Sequence, residues 1–163
     1  MSEAGEREVR AGLKPLLPRL WRYALALSAS RDAAEDLVQA ACLRAIERAG
    51  QFQAGTGLDR WTFSILRSIW LNELRARRVR EGGGFVDAAE ALSVDGEAAM
   101  QSNILAGQVL RAVAGLPAAQ REAVLLCYGE GVTYAEAADI MGSPIGTVMS
   151  RLAAARLALG KLK

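Results

Sequence analysis

Residues 131–152 read Gly-Val-Thr-Tyr-Ala-Glu-Ala-Ala-Asp-Ile-Met-Gly-Ser-Pro-Ile-Gly-Thr-Val-Met-Ser-Arg-Leu, and their punctuation predicts two short helices around a tight turn. Thr133 and Glu136 form a Thr-x-x-Glu capping box ahead of Ala137, Ala138, Ile140 and Met141. Gly142 closes that helix. Ser143-Pro144 caps and starts the next, with proline at the first helical position, and this last helix is expected to run from about Ile145 to Leu159.

Helix, glycine-containing turn, helix is the plan of a DNA-binding helix-turn-helix. Ala137, Ile140, Ile145, Val148 and Leu152 would lock the two helices together. Small or polar residues, Gly146, Thr147, Ser150 and Arg151, then stand near the start of the second helix. Its free backbone N–H groups favour phosphate. On pattern alone, a plain well-capped helical hairpin fits as well.

The chain has 163 residues, enough for one ordinary domain or two small ones. Without histidine, His-based triads and His-ligated zinc sites are excluded. Cys42 and Cys127 are too few for a Cys-rich metal site, and each lies in an apolar helix-like run that suits a buried free thiol. No metal or cofactor is expected. No nucleophile–base pair stands out, so an enzyme is not expected either. No apolar run approaches the roughly 18 residues of a membrane helix. The polar N-terminus lacks a signal-peptide core, which predicts a cytoplasmic protein without membrane insertion.

Lys+Arg total 20 and Asp+Glu 18, a formal net charge of +2, but the charge is not spread evenly. Arg60, Arg67, Arg75, Arg77, Arg78 and Arg80 crowd residues 51–80. Residues 81–100 carry no cation and five carboxylates: Glu81, Asp87, Glu90, Asp95 and Glu97. Gly82-Gly83-Gly84 marks a break at that junction. The expected organisation is therefore all-α. Two small helical domains, 1–80 and 101–163, are joined by a flexible acidic linker, 81–100, with a short helix around Asp87–Leu92.

β-branched residues are sparse, and Ala, Leu, Arg and Glu dominate, which favours helix. Pro15 and Pro18 precede an apolar run, Leu20 to Leu27, suited to a first long helix. Asp32 with Glu35 resembles a capping box for a second. Ala34, Leu37, Val38, Ala41, Cys42, Ala45, Ile46 and Ala49 form its core stripe, and Gly50 its end. Residues 51–57 read as a loop. A helix from about Leu58 to Arg80 follows, with Leu58, Trp61, Ile65 and Ile69 inward. After the linker, helices are expected over Ser102–Ala114, stopped by Gly115-Leu116-Pro117, and over about Ala118–Tyr128.

Three segments of the second half, 116–126, 131–142 and 144–152, resemble the C-terminal domain of extracytoplasmic-function sigma factors of bacterial RNA polymerase. In the first half, Asp-Ala-Ala-Glu-Asp-Leu-Val-Gln-Ala-Ala-Cys-Leu-Arg-Ala (32–45) resembles that family's core-polymerase-binding helix. Trp-Thr-Phe-Ser-Ile-Leu-Arg-Ser-Ile-Trp-Leu-Asn-Glu-Leu-Arg-Ala-Arg-Arg (61–78) resembles its promoter-melting and −10-reading helix. The resemblance covers about residues 12–80 and 101–160, in order.

The resemblance implies a dissociable subunit that binds core RNA polymerase and promoter DNA, with an anti-sigma factor as partner. Core contact would fall to Asp36, Gln39, Ala40, Leu43 and Glu47; Leu43 lies off the core stripe among polar neighbours. The −10 contact would fall to Phe52, Gln53, Thr56, Arg60, Trp61, Arg67, Ser68, Asn72, Arg75, Arg77 and Arg78. Within that set the 51–58 loop would capture a flipped base, and the clustered arginines would meet phosphates. Phe52 and Trp61 either stack on bases or pack the core. The −35 contact would fall to Thr133, Ser143, Pro144, Thr147, Met149, Ser150, Arg151, Ala154 and Arg156. Here the chain departs from the family pattern. Met149 stands where Lys or Arg is usual, and Ala153-Ala154 where an aromatic or His precedes Arg. Alanine and methionine can touch a thymine methyl but cannot make the bidentate guanine contact of arginine. The alternative is a sigma-like interaction protein that occupies an anti-sigma factor, or sits on polymerase, without reading DNA. A plain helix-turn-helix repressor would leave the first half unexplained.

Overall fold

The structure, a computed structural model, describes residues 2–81 and 104–160. The expected linker, its Gly82–Gly84 break, its Asp87–Leu92 helix and the start of the helix expected from Ser102 lie outside the described residues, apart from Glu81. Seven α-helices account for most of the rest, and there is no strand among the described residues. They are α1 (Glu3–Ser28), α2 (Arg31–Glu47), α3 (Leu58–Arg80), α4 (Ile104–Ala114), α5 (Ala118–Val124), α6 (Tyr134–Met141) and α7 (Ile145–Leu159). The all-α expectation holds.

Helices α1, α2 and α3 pack on one another as a bundle. Val9, Leu20, Tyr23, Ala34, Ala41, Ala45, Phe63 and Leu66 are its buried centre. Tyr23 and Phe63 meet edge to face at 5.1 Å, a favoured aromatic geometry. Helix α3 begins and ends where the sequence predicts. Its inward face is wider than expected: Thr62, Phe63, Leu66 and Trp70 are buried along with Leu58 and Ile65, while Trp61 and Ile69 are half-buried.

Helix α1 departs most from expectation, running through both prolines instead of starting after them. A proline inside a helix removes one N–H and frees the carbonyl four residues back. Here Pro15 and Pro18 are exposed, and so are Ala11 and Lys14, whose carbonyls are the ones freed. Water can satisfy them, so the helix continues. Ser2 caps its start by accepting from the Gly5 N–H at 3.3 Å, and Glu3 and Glu6 suit the positive end of the dipole.

Helix α2 is capped by Ser30, which accepts from the Ala33 N–H at 3.3 Å, rather than by Asp32. The α1–α2 break is so tight that Ala29 sits in left-handed backbone, φ 57°, leaving Ser30 as the last residue outside the helix. The helix stops at Glu47, and a 3-10 turn over Ala49–Gln51 takes in Gly50. Of the predicted stripe, Ile46 is an exception at 40% exposed, because it lies beside the buried Ala45 at the margin of the face.

In the second half, α5 runs on into a wide π turn, Leu125–Gly129. The helix-turn-helix is present as α6, a turn with Gly142 at φ 61°, and α7. Ala137, Ile140, Val148 and Leu152 lock it. Ile145 does not, being 48% exposed at the first position of α7, ahead of the turn that faces the core. Thr133 caps α6 as expected, accepting from the Glu136 N–H at 3.1 Å. Pro144 occupies the N-cap itself rather than the first helical position, and no side chain caps α7. Both cysteines are free thiols, half-buried rather than buried, and burial raises both above the ordinary thiol value.

Candidate nucleic-acid interface

The face of α2 that carries Asp36, Gln39, Ala40, Leu43 and Glu47 points away from α1 and α3. Leu43 is 59% exposed, an apolar side chain framed by exposed polar groups. Single exposed leucines are common, but this one shares its face with Asp36, Gln39 and Glu47 and stands next to exposed Ile46.

The loop after the 3-10 turn folds back over the start of α3. Phe52 is a core side chain at 1% exposed, its ring 5.0 Å from that of Trp61. Of this pair, half-buried Trp61 has the accessible surface. Gln53 and Thr56 are exposed, and the Thr56 hydroxyl donates to the Gln53 carbonyl at 2.6 Å. Arg60 donates to the Thr56 carbonyl at 2.7 Å.

The arginines of α3 fall into two groups. Toward its C-terminal end, Arg75, Arg77, Arg78 and Arg80 are exposed, on the side favoured by the helix dipole. Glu73 pairs with Arg77 and Arg80, both at 3.3 Å, and the Arg77 guanidinium lies over the Trp70 ring at 5.5 Å. Further back, Arg60 and Arg67 are engaged by carboxylates of the second half. Arg60 meets Glu136 at 3.2 Å and Arg67 meets Glu122 at 2.6 Å.

These two pairs belong to a seam that the sequence did not announce, where α5 packs on α1 and α6 on α3. Arg19 and Arg22 donate to Glu130 at 2.6 and 3.1 Å, and Arg19 also reaches Asp59 at 3.1 Å. Burial pulls the Arg19 guanidinium down, but its carboxylate partners outweigh that and raise it. Tyr23 donates to Glu122 at 2.6 Å; burial first, then the Glu122 charge, holds its hydroxyl well above the ordinary tyrosine value. Arg121 is buried and donates to the carbonyls of Ala26, Ala114 and Leu116, near the C-terminal ends of α1 and α4. Burial lowers it. One clue was available in the sequence: the adjacent charges Arg121-Glu122 stand directly before the apolar run Ala123–Cys127.

Two small clefts lie on this seam. One, of about 160 Å³, is lined by Ser64, Arg67, Ser68, Asn72 and Arg75 of α3 and by Ile140 of α6. The other, of about 230 Å³, lies between Thr56, Arg60, Trp61 and the α6 residues Glu136 and Asp139. The structure thus brings the −10 candidates Arg67, Ser68, Asn72 and Arg75 to one cleft at the edge of α6, with Ser68, Asn72 and Arg75 exposed, and sets Arg60 in the other.

On the helix-turn-helix, Thr133, Pro144, Met149, Ser150 and Arg156 are exposed, and Ser143, Thr147, Arg151 and Ala154 half-buried. Ser150 donates to the Gly146 carbonyl at 2.9 Å, and Arg151 to the Ser143 hydroxyl at 3.4 Å. Arg156 donates to the Tyr128 hydroxyl at 2.6 Å. Neither arginine stands free over the start of α7. Among the described residues there is no His/Cys/Asp/Glu group able to hold a metal, and no helix long and apolar enough to cross a membrane.

Comparison with known proteins agrees with this geometry. Residues 13–80 match the family Sigma-70 region 2, and residues 106–159 match Sigma-70, region 4. The chain is similar to the ECF RNA polymerase sigma factor EcfG of Rhodopseudomonas palustris strain TIE-1, 34% identical over 94% of this chain and 84% of the relative. It is similar to the ECF RNA polymerase sigma factor SigC of Mycobacterium tuberculosis, 34% identical over 94% of this chain and 82% of that one. The sigma factor RpoE from Bartonella quintana, solved in complex with the anti-sigma factor NepR, superposes with a TM-score of 0.80. It is 33% identical, over 96% of each chain.

Proposed function

Because the chain belongs to the extracytoplasmic-function sigma factors, subunits that bind core RNA polymerase and direct initiation at promoters, we propose that its two halves divide that work. Residues 1–80 bind core polymerase and read and melt the −10 element, 81–100 link the halves, and 101–163 read the −35 element. The observation that carries this division is the order of two matched segments, 13–80 and 106–159, along one chain.

The exposed α2 face is the polymerase contact, with Leu43 as its apolar anchor inside Asp36, Gln39, Ala40 and Glu47. The 52–57 loop takes up a −10 base through Gln53, Thr56 and the Trp61 surface. Arg75, Arg77 and Arg78 hold the phosphates alongside. Ser68 and Asn72 are exposed beside them, and Arg60 and Arg67 join once α5 and α6 leave, since Glu136 of α6 holds Arg60 and Glu122 of α5 holds Arg67. Thr133, Ser143, Pro144 and the start of α7 meet the −35 backbone. The base-facing residues Met149 and Ala154 support apolar contacts there, not bidentate guanine reading.

The chain has no catalytic role of its own; nucleotide addition stays with the polymerase, and the protein works in the cytoplasm. An anti-sigma factor controls it. This part of the reading is supported by the likeness, over nearly the whole chain, to a sigma factor solved with one.

The test is reconstitution. The full chain is added to core polymerase, and RNA starts are mapped on genomic DNA. Initiation at a defined promoter set is the expected outcome. Intact core binding with no initiation at any promoter overturns the reading.

A further inference from the structure

We propose that the first three turns of α1 set the shape of the 52–57 loop, with Glu8 as its positioning residue, and thereby set which base the loop accepts in the −10 element. This rests on the reading of that loop as base-capturing.

Three contacts made by α1 fall on one helical face, at positions 5, 8 and 12. The Glu8 carboxylate accepts from the Gly55 N–H at 2.9 Å. Gly5 is buried against the loop, and a methyl group there would run into the Phe52 carbonyl oxygen. A methyl at Gly12 would strike the Leu58 side chain, where the loop enters α3. Between them Val9 is fully buried in the core. These α1 residues lie ahead of the segment that matches the family, which begins at residue 13.

The loop has two ends of support. From inside, Arg60 holds the Thr56 carbonyl and Thr56 holds the Gln53 carbonyl, at 2.7 and 2.6 Å. From outside, the Glu8 side chain is bonded to its Gly55 corner. Gly55 has φ 79°, a left-handed conformation that glycine takes without strain but with many alternatives, so a contact to its N–H helps to fix the corner. A carboxylate acceptor is stronger than a neutral one. An unpaired base is recognised by fixed donors and acceptors, and such groups act only when held within a fraction of an ångström. Releasing the Gly55 corner therefore moves the Gln53 and Thr56 groups relative to a bound base without touching it.

The test uses holoenzyme assembled from the full chain and core polymerase, on a pool of promoter duplexes randomised across the −10 element. Glu8→Ala is expected to reduce the preference at one −10 position about ten-fold. Core affinity, −35 preference and melting temperature should stay as in the parent. Glu8→Gln should recover most of the preference, since its amide oxygen still accepts. Gly5→Ala should change the same position. If it fails to fold, Glu8→Ala decides alone. An unchanged −10 profile in Glu8→Ala overturns the proposal, as does a loss of selectivity that comes with equal losses in core binding and melting temperature. The double variant Gln53→Ala with Thr56→Ala separates the layers. If it shifts the profile while Glu8→Ala does not, the positioning role fails and the loop reading stands; if neither shifts it, both fall.

Discussion

The Tyr23 hydroxyl donates to the Glu122 carboxylate at 2.6 Å across the seam between the two halves, and the same oxygen accepts from Arg67. A carboxylate this deeply buried is kept there by its partners, because an unpaired charge in that place is costly. Glu122→Ala leaves a guanidinium and a phenol without acceptors. We expect it to destabilise the folded chain by about 3–5 kcal/mol, the range for breaking a buried pair. Urea unfolding of the full chain measures this. A loss below about 1 kcal/mol would show that water replaces the carboxylate freely.

The same contact predicts an alkaline limit. The folded chain holds the Tyr23 proton more tightly than the unfolded chain does. Below the ordinary tyrosine value of about 10 both forms keep the proton, and the contact stabilises fully. As pH rises past that value the unfolded form ionises first, so stability is lost. Stability measured from pH 8 to 11.5 should fall more steeply in the parent than in Tyr23→Phe. Equal slopes would assign the alkaline loss to other groups.

Exposed arginines at the end of α3 should show themselves in salt. Each phosphate neutralised contributes about 0.9 to the log–log slope of affinity against salt. Arg75→Ala combined with Arg77→Ala should lower the slope for promoter binding by holoenzyme by about 2. The affinity loss should be similar on all cognate promoters. An unchanged slope would remove both residues from the DNA contact.

Leu43→Asp places a charge on the exposed α2 face. Exposed substitutions usually move stability by no more than about 0.5 kcal/mol, so folding should be intact. Affinity for core polymerase should fall by more than about ten-fold, the scale of a central apolar anchor. Competition against the parent chain for limiting core polymerase reads this directly.

Gly142→Ala tests the turn. The residue has φ 61°, and open space surrounds the position a methyl would take. The cost is backbone strain alone, about 1–2 kcal/mol. Thermal unfolding should show that loss, and a neutral result would mean the α6–α7 turn relaxes to another form.

What the sequence made legible was local. The bounds of α3 follow from Gly57 before it and the arginine block at its end, and those of α6 from the Thr133 cap and Gly142. Helix α1 was misplaced because a proline's effect depends on whether the freed carbonyl faces water, which is a property of the bundle. Ile46 and Ile145 fit a helical stripe yet lie at its margin, because a periodicity does not say how wide the opposing surface is. The candidate site was half legible. Arg60 and Arg67 are where the pattern puts them, but their partners Glu122 and Glu136 come from another part of the chain. Glu136 appeared as half of a capping box; its carboxylate in fact reaches Arg60. Contacts such as Glu8 to Gly55, 47 residues apart, leave no periodic trace at all.

The seam also has a kinetic consequence. Each half is built from neighbours along the chain, whereas Tyr23–Glu122 and Arg19–Glu130 join residues 99 and 111 positions apart. Near contacts form before distant ones, so the two bundles assemble first and dock last. The entropy of closing such a span grows only with the logarithm of its length, and doubling it costs about 0.6 kcal/mol. Lengthening the acidic segment would therefore scarcely change either how fast the halves dock or how tightly they hold. That grip comes from the charges at the seam together with the apolar core that both halves share.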